Sequence, residues 1–341
     1  MQRMVDAGDC KMTTASTTQA LPPASTLHTL HGETMGTSWC VKLAASSRAD
    51  LHALHAGIQQ RLDLVVAQMS NWEADSDLSR FNRAAADTWH ELPGEFCEVL
   101  SCALGIACES EGAYDPTIGA LVEAWGFGAS HQAPSFPTDA TLSAARAEAG
   151  WRRLSLRKEA SSLLQPGRIQ LDLCAIAKGY GVDLVARHLR DIGIGAALVE
   201  VGGELYGYGR KPDGAVWQVL VEASPDEGND DAAGPCVVAL DGSAVATSGD
   251  HWHAFERQGK RYSHTLDPRT GKPVEHAPVA VTVIADNAMH ADAWATALTV
   301  MGAEAGYGFA QARNLAARFV SRTGEDLRIR TTDAFLARLP A

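Results

Sequence analysis

Gln170–Asp183 reads QLDLCAIAKGYGVD, and His290–Leu298 reads HADAWATAL. The first stretch carries Asp172 and Lys178 across a turn from an extended segment into a helix. The second sets Asp292 and Thr296 four residues apart, on one face of a helix otherwise built from Ala, Trp and Leu. A carboxylate and a hydroxyl on one helical face suit a hard, oxygen-seeking cation. A lysine beside them suits phosphate. Mg²⁺ is commonly held by one or two carboxylates together with substrate phosphates. The pairing therefore points to metal-assisted chemistry on a phosphoester or pyrophosphate. Asp172 lies among Leu171, Leu173 and Ile176, so its carboxylate needs a partner or a ligand to offset burial.

Working outward, Asp50–Met69 carries apolar residues at helical spacing, with Leu51, Leu54, Ile58, Leu62 and Val65 on one face. A second helix is expected over Gly94–Glu111, a turn and short helix over Tyr114–Gly128, and longer helices over Ala175–Arg190 and Ala288–Met301. Extended runs are expected at His31–Leu43, Trp151–Leu156, Ile169–Leu173, Ala197–Val201, Val216–Val221, Val237–Leu240, Ser243–Thr247, Tyr262–Thr265 and Val279–Ile284, then a final strand and helix. Met69–Asn82 and His131–Thr138 read as turns and loops, and Ser224–Pro235 as an acidic solvent loop. Strands in adjacent runs with few helices between them give an α+β fold, not a doubly wound parallel sheet.

The chain has 341 residues, 46% of them hydrophobic, and a formal net charge of −12. That charge argues against a nucleic-acid binder, which needs clustered Lys and Arg. No apolar run reaches the roughly 18–20 residues of a membrane span. Residues 1–25 are polar and are expected to be disordered, leaving 26–341 as one domain. The N-terminus lacks the apolar core of a signal peptide, which favours a cytoplasmic location. Seven cysteines without a Cys-x-x-Cys pair read as thiols, not as a metal or disulfide framework. His251, His253, His276 and His290 have no zinc-ligand spacing. His264, in the tight loop HTLDPRTGKPV, is a candidate general base, with an ordinary pKa near about 6.5. Trp72 is a large apolar side chain in a polar turn, suited to stacking on a flat ring or to packing on the protein itself.

In order along the chain, GETMGTSW, MSNWEADSDLSRFN, YDPTIGALVEAWGFG, LDLCAIAKGYGVD, VEVGGELYGYG, ATSGD, YSHTLDPRTGKPV and ADAWATALTVMG resemble the ApbE family of flavin transferases. The resemblance runs from about His31 to Gly302. It implies a mixed α/β fold with largely antiparallel sheets and two closely joined lobes. It also implies Mg²⁺-dependent transfer of FMN from FAD to a Thr or Ser hydroxyl of an acceptor flavoprotein, with release of AMP. An FAD pyrophosphatase and a non-catalytic flavin binder are the alternatives. Carried over by motif, Met35, Trp72, Ala113, Tyr114, Asp115, Asp172, Lys178 and Leu266 would contact FAD. Asp292, Thr296 and the carbonyls of Ala175 and Ala295 would hold Mg²⁺. Trp72 stands where the family often has tyrosine, Cys174 where it commonly has glycine, and Ala295 where some members have aspartate. The family's lipoprotein signal is missing, although the resemblance implies a periplasmic or membrane-associated site. In this mechanism Mg²⁺ neutralises charge on the pyrophosphate, Lys178 adds a second positive point, and Asp292 and His264 are the catalytic candidates.

Overall fold

The computed structural model describes residues 25–130, 136–221, 236–249, 254–257, 260–275, 279–323 and 326–339. Strands β1 (Ser25–Thr34) and β2 (Thr37–Ser46) precede helices α1 (Leu51–Met69) and α2 (Asp77–Asn82). Then come β3 (Thr88–Glu91), α3 (Gly94–Glu109), α4 (Gly119–Ala124), α5 (Asp139–Glu148), β4 (Ser155–Arg157) and β5 (Ser162–Gln165). Helix α6 (Cys174–Asp191) leads into β6 (Ala197–Val201), β7 (Glu204–Tyr208), β8 (Trp217–Val221), β9 (Cys236–Leu240) and β10 (Ser243–Gly249). Short strands β11 (Ala254–Arg257), β12 (Lys260–Ser263), β13 (Leu266–Asp267) and β14 (Lys272–Pro273) follow. The chain continues through β15 (Ala280–Ala285), α7 (Ala288–Met301), α8 (Ala303–Ala312), β16 (Ala316–Thr323), β17 (Asp326–Thr331) and α9 (Asp333–Leu336).

An eight-stranded sheet in the order β1-β2-β6-β7-β10-β15-β16-β17 organises the fold, and every neighbouring pair in it is antiparallel. The α+β expectation with largely antiparallel sheets holds. Helices cover one face of this sheet. Ala244 and Ala246 of β10 pack with Ala288 and Ala291 of α7, while Val245 between them joins Trp217 and Val238 on the other face. That is the period-two alternation of a strand buried on both sides. No helix among the described residues is long and apolar enough to cross a membrane.

Helix α7 is the central element. Its side chains are buried nearly all round, as its run of Ala, Trp and Leu dictates. Its N-terminus is closed twice. Asn287 accepts the His290 amide at 2.9 Å, and the Asp183 carboxylate of α6 accepts the Ala288 and Met289 amides at 2.8 and 2.9 Å. Burial pushes the Asp183 carboxyl up to about 6 despite those two amides. The helices α6 and α7 meet at Gly179, where an added Cβ would lie 2.3 Å from the Ala288 carbonyl oxygen and 2.9 Å from Asp292 Cβ.

Several elements depart from the sequence reading. His31–Leu43 is not one strand but the end of β1, a turn and β2. Thr34 pairs with Thr37 around Met35 and Gly36, both at positive φ (49° and 71°), the geometry of a tight hairpin. Strand β7 was not expected. It returns through Gly202 and Gly203 (φ 59° and 101°) from β6, and a Gly-Gly pair between apolar runs is a hairpin signal. Ile169–Leu173 forms only an isolated parallel bridge, Ile118 to Gln170. A 3₁₀ turn, Trp151–Arg153, occupies the start of the expected Trp151–Leu156 strand. Helix α2 arises inside the expected polar turn because Ser76 caps it, and α5 arises where Thr138 does the same. Residues 1–24, the loop Ser224–Pro235, residues 131–135, Asp250, His251, His253 and His276 lie outside the described residues, and Ser25 begins β1.

Gly179→Ala should force α6 and α7 apart and cost about 1–3 kcal/mol of stability, the usual penalty for overpacking. Urea unfolding of the purified variant measures it, and an unchanged midpoint would contradict the close approach.

Candidate active site

The site forms where α6 starts, and a distant loop fixes that start. Asn82 accepts the Leu171 amide at 2.7 Å and donates to the Leu171 carbonyl at 3.0 Å. Asn71 donates to the same carbonyl at 3.0 Å. The Asp172 amide donates to the Pro116 carbonyl at 2.8 Å, and the Asp172 carboxylate accepts the Cys174 amide at 2.9 Å. Three motifs far apart in sequence are thus tied to one turn. Asp172 is half-buried at this turn, and Cys174 is exposed. The protein atoms crowded around both side chains still push the Asp172 carboxyl up and, with the charge of Asp172, the Cys174 thiol up, although neither residue is shut off from solvent.

Next comes a break in the helix. Ala175 has φ −91° and ψ 19°, outside the helical range. In an unbroken helix the Gly179 amide closes on the Ala175 carbonyl. Here it donates to Asp292 Oδ2 at 3.1 Å. That bond ties α6 to the α7 carboxylate one turn after the non-helical Ala175. Asp292 is 6% exposed. Burial pushes its carboxyl up, against the pull of Lys178 and the Gly179 amide. Thr296 lies one turn further along α7, half-buried, on the face the four-residue spacing assigns.

Lys178 Nζ pairs with Glu204 Oε1 at 2.5 Å. Burial alone would pull the ammonium down, but Asp292 and Glu204 push it above its ordinary value. Glu204 is held up by burial and by the charge of Asp292, with Lys178 opposing. One ammonium therefore faces Asp292 and Glu204 together. Glu204 Oε2 and the Tyr114 hydroxyl are buried with no hydrogen-bond partner. Burial, then the charge of Asp292, push the Tyr114 phenol far up. Unpaired polar atoms beside surplus negative charge fit a cation and a polar ligand. Among the described residues no trio of His, Cys, Asp or Glu gathers to hold a metal. A cation here would rely on Asp292, the Thr296 hydroxyl and the Ala175 carbonyl, an all-oxygen set that fits Mg²⁺.

The other expected residues are placed unevenly. Met35, at the β1–β2 hairpin tip, brings its Cε to within 3.2 Å of the point where a Gly181 Cβ would stand. Trp72 is 54% exposed, and no core covers it. Beside it opens a polar concavity lined by Asn71, Ser79, Asn82, Arg83, Glu123 and Gln170. Ala113 is buried with Val274 and Val300. Asp115 turns its carboxylate inward, to the Thr117 amide and hydroxyl at 2.8 and 2.6 Å and the Trp151 amide at 3.2 Å. Leu266 packs on Leu121 and Trp125. The Ala295 carbonyl already accepts the Thr299 hydroxyl at 2.8 Å. His264 is half-buried, its ring 6.5 Å from that of Phe127 and edge-on to it. Glu204, Asn71, Asn82 and Asp183 were not singled out from the sequence. Only Glu204 carried a signal, the Gly-Gly turn before it.

The ApbE family model matches residues 35–319. A Klebsiella pneumoniae protein named FAD:protein FMN transferase is 36% identical over 313 residues, covering 91% of this chain and 89% of its own. A Haemophilus influenzae protein of the same name is 35% identical, covering 90% of each. The apo crystal structure of Pseudomonas stutzeri flavinyl transferase ApbE superposes with a TM-score of 0.85 at 37% identity, over 93% of this chain and 98% of that one. The flavin transferase ApbE of Vibrio cholerae gives 0.84 at 34%, over 92% and 100%.

Asp292→Asn keeps an oxygen for the Gly179 amide but removes the charge. It should fold normally and lose Mg²⁺ binding, read by isothermal titration with MgCl₂. Wild-type Mg²⁺ affinity in this variant would take Asp292 out of the cation site.

Proposed function

The chain belongs to the ApbE family, and from that membership we propose that it transfers FMN from FAD to a Thr or Ser hydroxyl of an acceptor flavoprotein, releasing AMP, with Mg²⁺ as cofactor. The observation that carries the reading is the α6–α7 junction, where the break at Ala175, the Gly179–Asp292 bond and the Lys178–Glu204 pair meet in one recess.

The reaction breaks the phosphoanhydride bond of FAD and forms a phosphoester to the acceptor. The acceptor hydroxyl oxygen bonds to the FMN-side phosphorus. The bond from that phosphorus to the bridging oxygen breaks, and AMP departs with that oxygen. Such transfers depend on positioning and charge stabilisation more than on covalent catalysis. Bound Mg²⁺ would neutralise charge on the pyrophosphate. Asp292, Thr296 and the Ala175 carbonyl are the groups that would hold it, with the Ala295 carbonyl a further candidate. Lys178 orients and neutralises a phosphate oxygen from the opposite side, and Glu204 holds that ammonium in place. Asp172 and Tyr114 bind the polar parts of FAD. Met35 and the backbone near Ala113, Asp115 and Leu266 line the same ligand. Trp72, exposed beside the polar concavity, stacks on a flat ring of FAD. His264 takes the proton of the acceptor hydroxyl, because Thr and Ser are weak nucleophiles without a base.

The direct test is incubation with FAD, MgCl₂ and a flavoprotein bearing a Thr or Ser flavinylation site. Mass spectrometry should find FMN covalently on the acceptor, with AMP in equal amount. Free FMN in place of acceptor-bound FMN would instead mark hydrolysis. In the same assay His264→Asn should transfer about 10²–10⁴-fold more slowly if the imidazole is the base. A rate within a few-fold of wild type would assign it to bracing the loop. Trp72→Ala should lose on the order of 1–3 kcal/mol of FAD binding, and Trp72→Tyr should be nearly silent. Unchanged FAD affinity in Trp72→Ala, measured by fluorescence quenching, would remove the stacking.

A further inference from the structure

The face of the large sheet turned away from α6 and α7 carries a charge that the reaction does not use. Along β16, Ala317 and Phe319 enter the helix-covered core with Leu298. Ala316 enters the opposite cluster with Trp217, Val238 and Phe335. Alternation along the strand places Arg318 on that opposite face. Arg318 is 4% exposed, and its Nη1 has no hydrogen-bond partner. Burial pulls its pKa below the usual guanidinium range, with only Cys236 acting the other way. Other arginines that pair with carboxylates do so at the surface, for example Arg187 with Glu98 and Arg313 with Glu109. No carboxylate among the described residues pairs with Arg318.

A second observation points the same way. Register places Thr282 of β15 and Thr331 of β17 directly across from Arg318. Thr247 of β10 stands across from Thr282, and their hydroxyls lie 2.9 Å apart. In that pair one hydroxyl donates to the other, so one hydroxyl hydrogen is left for an outside acceptor. Thr247, Thr282, Arg318 and Thr331 form a polar row across four strands. The row offers a guanidinium and a hydroxyl donor, and it contains no anion. A buried charge without a counter-charge costs several kcal/mol, whereas a guanidinium fork matches two oxygens of an oxyanion. We propose that Arg318, with the Thr247–Thr282 hydroxyl pair, forms a binding site for a small oxyanion of the phosphate class on the sheet face opposite the active site. Occupancy would lock β10, β15, β16 and β17 together. The inference does not rest on the proposed transferase reaction.

Thermal unfolding of the full chain tests it, with inorganic phosphate against chloride at equal ionic strength. Wild type should show a saturable rise in melting temperature on the order of 2–4 °C with phosphate. Arg318→Met should show none, and saturating FAD should leave the wild-type rise in place. Should Arg318→Met not fold, Thr282→Val carries the comparison and should bind phosphate several-fold more weakly, measured by equilibrium dialysis. No phosphate-specific rise in wild type overturns the proposal. So does an equal rise in Arg318→Met, or unchanged phosphate affinity in Thr282→Val.

Discussion

Everything at the recess depends on how closely α6 and α7 approach at Gly179. Only a residue without a Cβ lets the Ala288 carbonyl come so near. That closeness brings the Gly179 amide to Asp292 Oδ2, one turn after the non-helical Ala175. One contact therefore sets the helix crossing and positions the buried carboxylate. Asp183 reinforces it by closing the α7 N-terminus from the next turn of α6.

Charge at the junction is unbalanced by design of the packing. Asp292 is nearly excluded from water, Glu204 likewise, and Lys178 serves both. Ionised carboxylates crowded in a low-dielectric recess raise one another's pKa. A cation bound there would relieve that strain. The hydroxyl of Tyr114 and the second oxygen of Glu204 are buried without a hydrogen-bond partner. The antiparallel sheet supplies the rigid platform. Its two tight hairpins place Met35 and Glu204 beside α6, so side chains from distant parts of the chain meet at one helix.

Much of this was legible in the residues alone. Apolar spacing marked α1, α3, α6 and α7 within a few residues of their ends, and Asp50 and Asn287 cap the helices as short polar side chains do. The pairs Asp172 with Lys178 and Asp292 with Thr296 stood out because helical periodicity is a local rule. The exposed indole of Trp72 was likewise visible as an apolar side chain in a polar turn. Periodicity did not reveal the reversal at Met35, because the alternation of β1 runs on into β2 with only a two-residue turn between them.

What only the tertiary structure decided was which partner each of these groups finds. The Gly179–Asp292 bond joins residues 113 apart in sequence, and Asn82 reaches Leu171 across 89. The carboxylate of Asp115 finds the Thr117 amide and, 36 residues on, the Trp151 amide. Arg318 drew no notice in the sequence, and only the sheet shows it buried with no carboxylate partner among the described residues. The sequence by itself determined element type and chemical inventory, because these follow from neighbours within a turn or two of backbone. Pairing, burial and charge balance follow from contacts between distant segments, and those exist only once the sheet and the α6–α7 crossing have formed.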